Sequence, residues 1–504
     1  MRKANKPALA KYMTDDGQRT PDVARSIHRH VLDGGCLLHR VRWFRDVVYK
    51  QVVTQYVDLV RARYEAGVVI VFDGYPDLPS TKDHEHERRH CKVSSCPEVE
   101  CEDSVPAVYS QEVFLANDKN KDKLIKKLIP QLTSAGFIAW QSSSDADVDI
   151  VAAALHQAST SSGPIAVVAN DTDILVMLGF HRTAAMSDIL FVSETRSKGS
   201  VMHKCISVEK VQNNLGEKAC QQLLTAHALG GCDTVSAIFG HGKGSILKQI
   251  VSNQDSTHCT DVLHDKNASV SAVSKAGCLL LSLVYGGKLD DHLNKIRYNA
   301  YCHMAAVSLR RPQREKLPPT ERAAHFHSLR VHYQAVVWKE LDMSVLDPLH
   351  WGWTVVDGKL SPVMTDIPAA PDELLKFIRC KCKTNCESRL CTCRANGLQC
   401  VSACAHCNGS DCSNASKTLP AEDVDSSDDE ETDRNENLES DDDDAVFYDS
   451  DLDWIFEEEV MGSIDEFEEQ VNSHLLNKTF GDLFQLTLGT VVFAGLRITS
   501  SSLH

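Results

Sequence analysis

Aspartates recur in this chain directly after short apolar runs. Asp33 follows Ile27-His28-Arg29-His30-Val31-Leu32, and Asp73 follows Val68-Val69-Ile70-Val71-Phe72. The pair Asp145 and Asp147 comes shortly after Phe137-Ile138-Ala139-Trp140, and the pair Asp171 and Asp173 after Ile165-Ala166-Val167-Val168-Ala169. Asp233 stands in a glycine-rich turn, Gly230-Gly231-Cys232-Asp233. Carboxylates are hard oxygen ligands and suit Mg²⁺ or Mn²⁺. Gathered in one pocket, all of these acids would repel strongly unless cations neutralised them. Two such ions about 3.5–4 Å apart activate water and stabilise both oxygens of an in-line displacement at phosphorus. A single Asp after a strand is also a common helix N-cap. The repetition of acids at successive junctions is what favours the metal reading.

Cysteine is the second residue type with chemistry in its spacing. Nine of the 19 cysteines fall in one short stretch: Cys380, Cys382, Cys386, Cys391, Cys393, Cys400, Cys404, Cys407 and Cys412. Tetrahedral zinc takes four sulfurs, so nine thiolates serve three Zn²⁺ ions if three sulfurs bridge. A disulfide framework would need an oxidising compartment, which nothing else in the chain supports. Lys381, Lys383, Arg389 and Arg394 add positive charge suited to phosphates. Two weaker groups are an irregular set, His84, His86, His90, Cys91, Cys96 and Cys101, and the trio His325, His327 and His332. The trio shares a helical pattern with Arg322 and Arg330 and reads as ordinary core or surface histidine rather than as ligands.

The elements that must position these residues follow from periodicity. Uninterrupted β-branched runs suit buried parallel strands. Strands alternating with helical patterns predict an α/β domain with a mostly parallel sheet. Helices are expected over 37–64, over 119–132 with Leu124, Ile125, Leu128, Ile129 and Leu132 on one face, and from Asp147 onward. Ligands of open α/β sheets gather beyond the carboxyl ends of the strands, where these acids fall. From Ser80 to about Val113 the chain is polar and reads as an excursion, and beyond about 220 it becomes helical as far as Glu340. The expected organisation is an α/β domain with a helical extension over 27–345, a connector over 346–378 and a zinc-stapled domain over 379–414. A disordered acidic tail over 420–470 and an unassigned C-terminus over 471–504 follow. Trp351 and Trp353 are expected to pack the connector against the body.

At this point the order Leu32-Asp33-Gly34-Gly35, Val71-Phe72-Asp73-Gly74, Ser144-Asp145-Ala146-Asp147, Asn170-Asp171-Thr172-Asp173 and Leu229-Gly230-Gly231-Cys232-Asp233 resembles the flap-endonuclease (PIN-like) superfamily over about residues 27 to 250. The resemblance implies that the seven aspartates are the catalytic cluster around two Mg²⁺ or Mn²⁺ ions. It implies that Gly240-His241-Gly242-Lys243-Gly244 is a clamp on the DNA backbone, and that Lys82, Arg88 and Arg89 contact phosphates. Glycines let backbone N–H groups approach a phosphate, a helix N-terminus favours the anion, and Lys243 adds a charge. Asp-Ala-Asp-Val, Asp-Thr-Asp, Gly-Cys-Asp-Thr and Gly-His-Gly-Lys, in that order, are similar to motifs of animal proteins linked to mobile elements. The third acid group is Asp-rich where active flap endonucleases are Glu-rich, and Ser80–Val113 shows no evident helical arch. The cysteine spacing resembles the tesmin-type CXC domain, which implies a three-zinc cluster that binds DNA, with Leu390 where that family has Tyr. Together these imply a nuclease acting on structured DNA, or RNA. The alternative is an inactive nucleic-acid-binding or chromatin scaffold.

The formal net charge of −17 is unevenly spread: Ala421–Gln470 holds 24 acidic residues and one basic residue, Arg434, leaving +6 elsewhere. A block of like charges reads as disordered and as a site for a protein partner. Ser426-Ser427 ahead of acids invites phosphorylation, and Ala445–Tyr448 and Trp454–Phe456 read as interaction segments. No apolar stretch follows Met1-Arg2-Lys3-Ala4, and the run from Leu483 to Leu496 is short for a membrane span. A nuclear location is expected, with cytoplasmic as the alternative and no membrane partner. The acidic block should compete with DNA for the basic surfaces. Deleting Ala421–His504 is therefore expected to tighten DNA binding in an anisotropy titration, most at low salt where screening is weakest. Zinc chelation should reverse that gain, because a zinc-stapled fold depends on its metal. Equal affinity with and without the tail at low salt would exclude the competition.

Overall fold

The computed structural model describes residues 6–13, 29–44, 47–76, 79–82, 96–197, 200–288, 291–307, 314–367, 379–383, 385–395, 397–401, 404–409 and 412–415, together with Arg2 and Ile27. The chain divides into two units, Met1–Lys381 and Cys382–His504. The expected tail and C-terminus, Arg88, Arg89, the three histidines His84, His86 and His90, and Cys91 lie outside the described residues.

The first unit is built on a six-stranded sheet in the order β3-β2-β1-β4-β5-β6. The strands are β1 (Arg29–Asp33), β2 (Val69–Phe72), β3 (Ile138–Gln141), β4 (Ile165–Val168), β5 (Ile189–Ser197) and β6 (Ser200–Ser207). The first five run parallel, and β6 returns antiparallel to β5. All four residues of β2, and all four of β4, are buried, as expected of parallel strands covered on both faces. Successive side chains point to opposite faces. Val31, Val69 and Val71 accordingly enter one core, while Leu32, Ile70 and Phe72 enter the other.

The second core is closed by α2 (Gly34–Arg40), α3 (Tyr49–Arg63), α4 (Gln111–Leu115) and α5 (Asp118–Ser134), through Leu37, Tyr49, Tyr56, Phe114, Leu124 and Leu128. The first core is covered by α6 (Asp147–Thr160), α7 (Thr172–His181), α8 (Val208–Leu215) and α9 (Glu217–Leu229). Beyond them lie α10 (Lys243–Ser252), α11 (Ser256–Leu263), α12 (Val270–Val284), α13 (Leu293–Val307) and α14 (Glu321–Glu340). Among the described residues, no helix is long and apolar enough to cross a membrane.

The mostly parallel α/β sheet matches the expectation from the apolar runs. Three features were not expected. The single helix read over 37–64 is two helices, broken where Val41 turns extended. In the gap Val48 bridges Pro106, Tyr49 N donates to Val105 O (3.0 Å), and Ala107 N donates to Val47 O (2.8 Å). Non-local backbone pairing there replaces helical hydrogen bonds. The β5–β6 pairing extends to Ser197 and Ser200, polar positions that gave no strand signal. The segment α1 (Lys6–Met13) buries Leu9 and Met13 in the first core.

Within the stretch expected to be a connector, β7 (Trp353–Val356) and β8 (Lys359–Pro362) form a hairpin. Trp351 and Trp353 are buried, and Arg330 of α14 donates from Nη1 to Gly352 O (3.2 Å). His327 and His332 are buried and bonded to backbone carbonyls, and His325 meets Ser274 Oγ at 2.8 Å. None of the three turns toward the aspartates.

Gly34 is confined by packing rather than by turn geometry. A β-carbon there would lie 2.3 Å from Phe72 Cδ1 and 2.7 Å from Val71 O. Gly34→Ala is expected to destabilise the first unit by about 1–3 kcal/mol, the range for overpacking, read as a lower urea midpoint with an unchanged slope. An unchanged midpoint would show that β1 and β2 have room to separate.

Candidate metal centre at the carboxyl edge of the sheet

The parallel register delivers the acids to one edge. Asp33 is the last residue of β1 and lies level with Val71 of β2, two residues before Asp73. Asp145 and Asp147 follow β3, and Asp171 and Asp173 follow β4, on the same edge. Strand order reverses between β1 and β4, the kind of position where open α/β sheets form a crevice.

Local hydrogen bonds then hold each turn. Asp33 caps α2 by accepting from Cys36 N (3.2 Å), and Asp171 caps α7 by accepting from Asp173 N (2.9 Å). Asp73 Oδ1 accepts from Ala146 N (3.1 Å), tying the β2 end to the turn after β3. Gly74 permits that closure: its N donates to Ser144 O (2.5 Å), and a β-carbon would stand 2.2 Å from Ser142 O. Gln141 Nε2 braces the same corner by donating to Asp73 O (2.9 Å) and Asp122 Oδ1 (2.8 Å).

The result is a cleft of about 850 Å³ lined by Asp33, Asp73, Asp145, Asp147, Asp171 and Asp233. Asp173 is buried beneath it. Asp147, Asp171 and Asp173 each offer a carboxylate oxygen within 4.8 Å of the others. A β-carbon on Gly35 would lie 3.1 Å from Asp33 Oδ1 and 3.5 Å from Asp73 Oδ2, so those two carboxylates flank that glycine. Burial, with Asp73 second, pushes the Asp33 carboxyl up to about 7. Burial and then Asp145 push Asp73 up, and Asp147 well up, from the ordinary carboxylate range. A crowd of desolvated carboxylates whose ionisation is resisted is what a hard divalent cation relieves, so the donor set fits one.

Lys82 occupies part of that electrostatic role. Its ammonium lies 2.5 Å from Asp145 Oδ2 and 3.3 Å from Asp147 Oδ2. Burial alone would lower its pKa, but Asp145, Asp147 and Asp233 outweigh that and raise it. Lys82, expected to contact a phosphate, is engaged here in an inward ion pair with the Asp145–Asp147 turn. The clamp expected at 240–244 also changes. Lys243 is buried, with Nζ 2.8 Å from His227 Nδ1, and Gly244 is covered by Tyr12, whose Cγ a β-carbon would approach to 2.8 Å. Gly240 and Gly242 remain exposed ahead of α10. Packing of Ile246 and Leu247 into the first core turns Lys243 inward.

Two features escaped sequence reading. One is His227, a histidine inside an apolar helical stretch with no spacing signal. The other is a row of lysines on α5: Lys119, Lys121, Lys123 and Lys126 line the same cleft together with Glu98. Lys123 pairs with Glu98 (2.9 Å) and Glu100 (2.8 Å), and Lys126 with Asp122 (2.6 Å).

In the second unit Cys386, Cys400, Cys407 and Cys412 place their sulfurs within 4.8 Å of one another, a group that could hold zinc. Cys391 Sγ lies 3.9 Å from Cys400 Sγ, and Cys393 Sγ lies 3.6 Å from Cys404 Sγ. Such spacings suit sulfurs around shared ions and exceed a disulfide bond. Cys380 is buried and Cys382 half-buried. Lys381, Lys383, Arg389 and Leu390 are exposed. Arg394 instead staples the loop, donating to Cys386 O (2.9 Å) and Ser413 O (3.2 Å).

No protein-family model matches the chain, and no curated protein matches it in sequence. Among solved structures, similarity is found to the T5 D15 protein co-crystallised with metal ions, at 14% identity and a TM-score of 0.30, covering 55% of this chain and 93% of that one. The bacteriophage T5 D15 flap endonuclease pseudo-enzyme-product complex with DNA and metal ions aligns at 12% identity and a TM-score of 0.30, covering 61% and 99%. The catalytic core of Rad2 in complex with DNA substrate aligns at 15% identity and a TM-score of 0.28, covering 57% and 90%.

Lys82 makes a testable difference to this site. Lys82→Met is expected to destabilise the cation-free protein by roughly 1–3 kcal/mol, since carboxylates lose a charged partner. The same variant should gain a larger thermal shift from Mn²⁺ than the unaltered protein. Equal shifts would show that lysine and cation do not share the carboxylates.

Proposed function

We propose that this chain is a divalent-cation-dependent phosphodiesterase of the flap-endonuclease, PIN-like kind that acts on structured DNA. The observation that carries the reading is the delivery of six aspartates, from four strand ends and the loop between α9 and α10, to a single cleft. Asp33, Asp73, Asp145, Asp147, Asp171, Asp173 and Asp233 would hold Mg²⁺ or Mn²⁺. A divalent cation there would lower the pKa of an attacking water and offset charge on the phosphate oxygens.

The chain's own residues supply the rest. The exposed glycines Gly240 and Gly242, at the N-terminus of α10, offer backbone N–H groups to a phosphate. The α5 lysines Lys119, Lys121, Lys123 and Lys126, each paired with a nearby acid, would exchange those acids for backbone phosphates. The cysteine-rich domain, with three Zn²⁺ ions and exposed Lys381, Lys383 and Arg389, would bind DNA and raise its effective concentration at the cleft. RNA is the alternative substrate. A nuclear, mobile-element-associated role with a protein partner on the acidic tail completes the reading.

A second reading is favoured by Lys82, which already pairs with Asp145 and Asp147. In that reading the protein is a nucleic-acid-binding scaffold that performs no cleavage. The two separate in one experiment. The full chain is incubated with flap, hairpin and single-stranded DNA in Mg²⁺ or Mn²⁺, beside a variant carrying Asp171→Ala and Asp173→Ala. The enzyme reading expects cleavage that falls at least about a hundredfold in the variant, the scale on which removing charge stabilisation acts, with DNA binding retained. No cleavage of any substrate by the unaltered protein sinks the enzyme and leaves the scaffold.

A further inference from the structure

Behind the carboxylate cleft lies a buried chain of three polar side chains drawn from three helices. Asp173, in the first turn of α7, is 3% exposed, and its Oδ1 accepts from His227 Nε2 at 2.7 Å. His227, near the end of α9, is fully buried, and the ammonium of Lys243 lies against its ring, 2.8 Å from Nδ1 and 3.3 Å from Nε2. Lys243 opens α10 and also donates to the His227 carbonyl at 3.3 Å. Trp338 of α14 packs on the imidazole, with ring centroids 5.4 Å apart. Gly230 leaves room for the lysine stem, since a β-carbon there would stand 3.0 Å from Lys243 Cγ.

Donor and acceptor chemistry gives this chain one direction. An ionised carboxylate has only acceptors, so Nε2, the nitrogen facing Asp173 Oδ1, must donate. The ring proton then sits on Nε2 and is donated to the carboxylate. Buried polar groups are tolerated when each is partnered, and a fully satisfied network rigidifies its surroundings. Here the network ends on one of the three carboxylates that meet within 4.8 Å. With Oδ1 engaged by the imidazole, the rotation of the Asp173 carboxylate is set by helices rather than by solvent.

We propose that His227 and Lys243 are positioning residues, which orient Asp173 so that it joins Asp147 and Asp171 around a divalent cation. Lys243 therefore serves the inside of the protein rather than a nucleic-acid phosphate. This inference rests on the cation reading of the site given above. Partners that orient a metal ligand through a hydrogen bond commonly change metal affinity 10- to 100-fold when removed.

The test is Mn²⁺ binding to the full chain by calorimetry, beside Asp171→Asn, which identifies the part of the binding due to the cluster. Lys243→Met and His227→Leu are each expected to weaken that part about 10- to 100-fold. His227→Gln can present an N–H to Asp173 and an oxygen to Lys243, so it should keep most of the affinity. Lys243→Met retains the side chain's length while removing a buried charge, and circular dichroism with a urea midpoint confirms the fold of each variant. Unchanged Mn²⁺ affinity in folded Lys243→Met overturns the positioning role. A loss of cation-free DNA binding in that same variant would return Lys243 to the phosphate contact. Absence of any Asp171-dependent Mn²⁺ binding in the unaltered protein sinks the cation reading itself, and the positioning role with it.

Discussion

Everything at the carboxyl edge of this sheet is arranged around mutual repulsion between carboxylates. Parallel strands in close register cannot avoid bringing residues that follow their ends together, and here those residues are acids. Burial makes the problem worse, because removing water raises the cost of every charge. The upward shifts of Asp33, Asp73 and Asp147 are the direct expression of that cost. A protein selected only for stability would place apolar or neutral residues there.

The structure meets the repulsion from three directions. Backbone N–H groups at the start of α2, α6 and α7 point at carboxylates, so Asp33, Asp73 and Asp171 are helix caps or turn ties and cleft residues at once. Capping and metal binding are therefore not rival readings of these acids. Lys82 reaches in from the segment after β2 and pairs with Asp145 and Asp147. From behind, the His227–Lys243 chain ends on Asp173. Each device engages a different part of the cluster.

The two units solve different problems with different ligand chemistry. The first gathers hard oxygen donors with an open cleft beside them, an arrangement suited to exchangeable cations and a solvent-accessible substrate. The second gathers soft sulfur donors in a segment too short to bury an apolar core of its own. Its core positions are largely the cysteines themselves, among them Cys391, Cys393, Cys400 and Cys404. Arg394, spent on backbone carbonyls, shows how few side chains other than cysteine remain to hold that loop.

What the sequence by itself determined is whatever depends on short-range pattern. Val68–Phe72 and Ile165–Ala169 read as buried strands, the Leu124–Leu132 face as an amphipathic helix, and an Asp placed directly after a parallel strand has one edge to occupy. The cysteine spacing was legible as a cluster that could hold a metal, because ligand geometry restricts spacing along the chain. What only tertiary structure decided is the direction of long side chains and the outcome of competition between partners far apart in sequence. Lys82 and Lys243 are flexible cations whose local context fits a solvated surface. The first turns inward to pair with Asp145 and Asp147, the second because Ile246 and Leu247 anchor its helix face in the core. The break between α2 and α3 likewise depends on Pro106, more than fifty residues away, whose neighbours supply hydrogen bonds that a continuous helix would have made within itself. Contacts of that range leave no period in the chain, so they become visible only once the fold has brought the partners together.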